Sequence, residues 1–124
     1  MYKTTEIASS EIASDNPVHQ RLLFPYQHVS HLVHGNVLEI GCGTGRGVGV
    51  LADKVSGYTG VDKNTELMES LGQKYPDFTF IDMFLPPLQD LPDNHFDFVI
   101  TFQVIEHIEP DSFFLAEAAR VLKP

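Results

Sequence analysis

Apolar and polar positions alternate along this chain with two different periods. From Asn16 onward, Val18, Leu22, Tyr26, Val29 and Val33 recur every three or four residues, the spacing that puts them on one face of a helix. Asn16 is an N-cap candidate and Pro17 suits the first helical position, so the pattern predicts a helix bent at Pro25 and stopped by Gly35. Then the period shortens. "NVLEI" (36–40), "YTGVD" (58–62), "FTFI" (78–81) and "FDFVITF" (96–102) are short apolar runs of the kind that make buried strands. Between them lie helical stretches: one reaching to about Lys54, and one capped by Asn64 and running through Lys74. The proline-rich "LPPLQDLPDNH" reads as loop. "PDSFFLAEAARVL" (110–122) reads as a helix with Phe114, Leu115, Ala118, Val121 and Leu122 on one face. Strands alternating with helices imply an α/β chain with a mostly parallel sheet covered on both faces, a three-layer α/β/α arrangement. Residues 1–15 are polar and aperiodic and are expected to form a flexible N-terminal arm, leaving 16–124 as one domain.

The loop after the first strand breaks both periods. Gly41, Gly43, Gly45, Gly47 and Gly49 alternate with other residues behind "VLEI". Glycine permits positive φ and a close approach of backbone to ligand. In an open parallel sheet, ligands bind beyond the carboxyl ends of the strands, where this loop sits. A nucleotide-like ligand is therefore expected. A phosphate-binding P-loop requires a Gly-Lys pair, and the chain contains none. The dinucleotide pattern G-x-G-x-x-G/A begins at Gly41 and Gly43 but meets Arg46 where a small residue should let helix pack on strand, which weakens that reading and leaves it open.

Composition narrows the choice. Hydrophobic residues make up 43% of the 124 residues and charged residues 20%, the balance of a globular domain. No apolar stretch approaches the roughly 20 residues of a membrane-spanning helix, and "MYKTTEIASS" lacks the apolar centre of a signal peptide, so no membrane partner and a cytoplasmic location are expected. The net charge of −9 disfavours a nucleic-acid partner. Cys42 is the only cysteine, which leaves neither a disulfide nor a thiol pair for zinc, and the chain is expected to hold no metal.

Glu39 followed by Gly41, Gly43 and Gly45, that is, an acid on the first strand two positions ahead of G-x-G-x-G, resembles the first motif of the class I S-adenosylmethionine (SAM)-dependent methyltransferases. The resemblance covers about residues 35–124, with Asp62 closing the second strand, Asp82 following the third, "FDFVITFQVIEHI" like the fourth strand and its turn, and "EAARVLKP" like the next helix. It implies a Rossmann-like fold and SAM as cofactor. It also implies roles: Glu39 on the ammonium side, directly or through water; the amides after Gly41 and Gly43 on the carboxylate and the nearby ribose edge; Asp62 on the two ribose hydroxyls. Lys63 would lie along the adenine face, Asp82 at the adenine amino group and the Met83 N–H at the ring. Cys42 and Gln103 complete the implied cofactor-binding set. SAM carries a sulfonium, an ammonium and a carboxylate, so carboxylates and amides suit it better than the lysines a pyrophosphate demands.

A general base is needed only where the acceptor must lose a proton, and Glu106 and His107 are the candidates for it. Some relatives carry Glu-x-x-Glu-His here, which in part of them holds a divalent metal. Gln103 replaces the first glutamate, and a neutral amide is a poorer ligand for a hard cation. The chain ends at "RVLKP", where the resemblance implies further C-terminal strands, so the reading is of the N-terminal, SAM-binding part of such a domain. An open edge on the fourth strand is then expected to favour self-association. The acceptor is expected to be a small molecule. A non-catalytic SAM- or nucleoside-binding module, and more distantly an NAD-binding domain, stand as alternatives.

Overall fold

A computed structural model describes residues 17–84, 88, 91–102 and 112–124, with the backbone alone for 17–22. The elements follow in the order α1 (Pro17–Val29), β1 (Asn36–Ile40), α2 (Arg46–Leu51), β2 (Gly57–Asp62), α3 (Thr65–Lys74), β3 (Thr79–Asp82), β4 (Phe98–Ile100) and α4 (Ser112–Val121). The four strands form one parallel sheet in the order β3-β2-β1-β4. β1 is central, and from Val37 to Ile40 it is buried on both faces. Its side chains divide between two apolar layers. Val37 joins Tyr26, Val48, Leu51, Tyr58, Met68 and Leu71 on the side of α1, α2 and α3; Leu38 and Ile40 join Val61, Leu88, Phe96, Phe114 and Val121 on the side of α4. This is the expected α/β/α sandwich, in which a strand covered twice reads as a nearly continuous apolar run.

The element ends depart from expectation in instructive ways. α1 continues through Pro25 but stops at Val29, not at Gly35: the amides of Leu32 and Val33 both turn back to the Val29 carbonyl. Gly35, at φ +72°, instead opens β1, and its carbonyl accepts the amides of Ser56 and Gly57 that lead into β2. α3 matches closely, with the Asn64 side chain accepting the Leu67 N–H. β3 begins one residue later than expected, which pairs Thr59 with Thr79 and Asp62 with Asp82. β4 is shorter than its apolar run. Only Phe98–Ile100 form the ladder with β1, while Phe96 bridges to Leu122 on the other side, its N–H donating to the Val121 carbonyl and its carbonyl accepting the Lys123 N–H. On α4, Phe114 and Val121 are buried two turns apart, but Leu115 lies about 100° round the helix from Phe114 and is 58% exposed, so it is not part of the apolar face. Among the described residues no helix is long and apolar enough to cross a membrane.

Candidate ligand-binding site

β1 and β2 end side by side, and the glycine loop folds back across their carboxyl ends. The amides of Gly41 and Cys42 both donate to the Val61 carbonyl, at 2.7 and 3.1 Å, and the Gly45 N–H closes a turn onto the Cys42 carbonyl. Such a path needs left-handed backbone at alternate residues: Gly41, Gly43 and Gly45 have φ of +78°, +55° and +90°. The glycines are not equivalent. A Cβ on Gly45 would stand 2.5 Å from Leu71 Cδ2, so this position faces the core, whereas a Cβ on Gly43 would meet no heavy atom within 4 Å. Gly43 therefore forms the open surface of the loop.

Asp62 fixes that surface. One carboxylate oxygen accepts the Gly43 N–H at 3.1 Å and the other accepts the Asn64 N–H at 3.0 Å, with the residue 5% exposed. The carboxylate thus joins the glycine loop to the turn after β2, while Asn64 caps α3. Each oxygen retains a further lone pair. Asp82, its neighbour across the ladder, is exposed and accepts the Thr65 hydroxyl at 3.0 Å. Lys63 is exposed in the turn from β2 to α3.

Glu39 lies behind the loop. It has no exposure, and its two oxygens accept the hydroxyls of Tyr26 from α1 and Tyr58 from β2. Burial pushes the Glu39 carboxyl up to about 7, against the two phenol hydrogen bonds that pull it down. The same burial, beside the Glu39 charge, raises the hydroxyls of Tyr26 and Tyr58. α2 approaches this cluster at Gly47, where a Cβ would stand 2.4 Å from Glu39 Oε1 and 2.5 Å from Tyr26 Cε1. The small residue that lets helix pack on strand is thus Gly47, and Arg46 is free to point elsewhere.

The structure brings Glu39, the glycine loop and Asp62 together and gives several of the other groups read from sequence partners within the protein. Glu39 has both oxygens engaged and no exposed surface, and so ties α1 to β1 and β2 through the two phenols. The amide after Gly41, that of Cys42, is committed to Val61, and the Met83 N–H donates to the Asp62 carbonyl at 3.0 Å rather than facing outward. The Cys42 side chain is buried with its Sγ 3.7 Å from Met68 Sδ, and burial raises its thiol, which makes it a packing residue. Gln103, Glu106 and His107 lie outside the described residues. Tyr26 and Tyr58 were legible only as apolar positions. Their signal was the residue type: a tyrosine in a buried stripe opposite a strand acid brings a hydroxyl that must find a partner.

Comparison with known proteins agrees with this architecture. Residues 38–124 match the family model described as a methyltransferase domain. A protein of Mycolicibacterium smegmatis described as a probable S-adenosylmethionine-dependent methyltransferase is 35% identical over 114 residues, covering 91% of this chain and 44% of that protein. The fatty-acid O-methyltransferase of the same organism is 36% identical over 93 residues, covering 71% of this chain and 33% of that protein. In fold, the chain superimposes with a TM-score of 0.71 on an S-adenosylmethionine-dependent methyltransferase from Mesorhizobium loti, at 20% identity, covering 82% of this chain and 49% of that one. The chain spans less than half the length of each of these proteins.

Proposed function

The chain belongs to the S-adenosylmethionine-dependent methyltransferase family, and from that premise we propose that it binds S-adenosylmethionine over the glycine loop and serves methyl transfer to a small-molecule acceptor. The observation that carries the reading is the juxtaposition of an open Gly43 surface with the Asp62 carboxylate, which holds the loop with one oxygen and the turn after β2 with the other and keeps a further lone pair on each for a vicinal diol. Gly43 and Asp62 would hold the nucleoside end, with Gly45 shaping the loop from the core side and Asp82 and Lys63 at the rim. Bound there, the cofactor would supply an electrophilic methyl group on a sulfonium. Little else is asked of the protein beyond holding the acceptor in line and excluding water. Where the acceptor must lose a proton, Glu106 and His107 are the residues to accept it, with Gln103 beside them in sequence. A small acceptor is supported by the net charge of −9, which repels polyanions, and by the fatty-acid O-methyltransferase among the relatives.

Thermal melting in the presence of ligands tests the reading, since a ligand that binds only the folded state raises the melting temperature. S-adenosylmethionine and S-adenosylhomocysteine are each expected to raise it, with NAD leaving it unchanged. A rise with NAD alone would return the site to the dinucleotide-binding class.

A further inference from the structure

The outer face of α1 carries large apolar side chains that the fold leaves in the open. Tyr26, Val29 and Val33 turn toward the core. Helical hydrogen bonding runs on past Val29, with the Ser30 N–H on the Tyr26 carbonyl and the Val33 N–H on the Val29 carbonyl. On the opposite side, steps of four, three and one residues bring Phe24, His28, His31 and Leu32 onto one stripe. Phe24 and Leu32 are 67% and 61% exposed, both histidines are exposed, and the Phe24 ring stacks on the His28 imidazole with centroids 6.3 Å apart. Apolar side chains scattered singly over a surface are ordinary, whereas a stripe of this kind marks a place of contact.

Charge and area sort the partners. From Asn16 to Leu38 the sequence has no Asp or Glu, although the chain has 17, and four of its six histidines lie there. Histidine gains its charge between about pH 8 and 5, so the stripe becomes cationic on mild acidification. The groups facing α1 from the elements packed on it are few. Glu39 of β1 and Tyr58 of β2 are tied up with Tyr26 beneath its inner face. Arg46 opens α2, with Asp53 and Lys54 exposed beyond it, and Asp97, ahead of β4, acts on His34. Neither the His28 nor the His31 side chain is paired with an acid among the described residues. Charges more than about 8 Å away are screened at physiological ionic strength, so the local sign governs contact here rather than the net charge of −9. A helix of 13 residues is about 20 Å long and about 10 Å wide, which gives its outer face about 200 Å². A stable protein interface needs about 800 Å² on each partner. A bilayer needs no matching surface, only a few apolar side chains to sink among the headgroups and positive charge to meet anionic lipid. That no helix among the described residues can cross a membrane leaves open that one lies against it.

We propose that the outer face of α1 is a membrane-docking surface, with Phe24 and Leu32 entering an anionic bilayer and protonated His28 and His31 meeting its headgroups. The assignment is independent of the ligand bound at the glycine loop. Co-sedimentation of the full chain with vesicles of phosphatidylcholine alone, and of phosphatidylcholine mixed equally with phosphatidylglycerol, tests it at about pH 5.5 and about pH 7.5. Binding is expected on the mixed vesicles, roughly ten- to thirtyfold stronger at the lower pH, since each charge near an anionic leaflet gives about a fivefold gain. His28→Gln with His31→Gln is expected to remove most of that gain and to keep the binding seen at the higher pH. Phe24→Ser with Leu32→Ser is expected to weaken binding at least about tenfold at both. The chain has no tryptophan, so Phe24→Trp supplies a single indole, whose emission is expected to shift to the blue on the mixed vesicles at the lower pH. Co-sedimentation without that shift would put the contact on another surface and overturn the proposal. So would absence of binding, equal binding to both kinds of vesicle, or a pH gain that survives the loss of both histidines. A chain that ignores vesicles and self-associates until Phe24→Ser with Leu32→Ser makes it monomeric by light scattering would assign the face to a second copy instead.

Discussion

At the scale of single residues, Glu39 is the most consequential side chain. A carboxyl lifted to about 7 in the folded chain, from 4.5 when unperturbed, binds a proton in the native state that the unfolded state has already released between those two values. Folding is therefore favoured by this group below about pH 4.5, and that contribution is lost as the pH rises through about 7, on the order of 3 kcal/mol in all. Glu39→Gln removes the titration. We expect the stability difference between this variant and the unaltered chain to shift in favour of the variant as the pH rises from 4.5 to 7, read as urea midpoints across that window. A difference that stays flat would show Glu39 to be ionised throughout. Why the carboxyl is tied to Tyr26 and Tyr58 is also a residue-scale matter, because both phenols are buried and each needs an acceptor.

Between elements, the glycine loop and α2 divide the work of glycine into two kinds. Gly47 is needed for packing. Alanine there gains at most about 1 kcal/mol of helix propensity, yet its Cβ would press on Glu39 and Tyr26, which are bound to each other and cannot both retreat. The clash wins, and Gly47→Ala is expected to destabilise the chain by about 1–3 kcal/mol, measured by denaturant unfolding. Gly43 is needed for access. Gly43→Val places a branched side chain in the open space above the loop at φ +55°. It is expected to abolish binding of S-adenosylhomocysteine while leaving the far-ultraviolet circular dichroism spectrum close to that of the unaltered chain. Calorimetry showing unchanged affinity would remove the ligand from this surface.

Over the whole molecule, two clamps hold α4 to the segment that leads into β4. Arg120 donates to the carbonyls of Leu88 and Leu91 while pairing with Glu117 and Asp93, and the backbone from Asn94 to Phe96 bonds to Arg120 and Val121. These bonds cover the chain at Phe96, two residues ahead of β4. Along Phe98–Ile100, β4 has β1 as its only ladder partner among the described residues. An edge of this kind, flanked by half-buried Phe98 and Val99, invites pairing with another strand. Light scattering on the 124-residue chain is expected to report species above the monomer mass of 13.9 kDa. A monodisperse monomer would show that this edge is covered.

The sequence by itself determined the order of elements, the parallel three-layer plan, the glycine loop across the strand ends and the acids that close β2 and β3, because each of these is written in local signals: period, cap residues and glycine spacing. Even the family was readable from Glu39 through Gly45 together with Asp62 and Asp82. Partners across the fold were decided elsewhere. Whether the amides of Cys42 and Met83 face a ligand or a carbonyl depends on where the β2 end lies, and whether Glu39 meets solvent or two phenols depends on how α1 crosses the sheet. Which of Arg46 and Gly47 touches β1 is set by the rotation of α2 about its axis. Such choices pair residues distant in sequence, and the hydrogen-bonding groups involved look the same in the one-dimensional string whether they are satisfied by the protein or kept for a ligand.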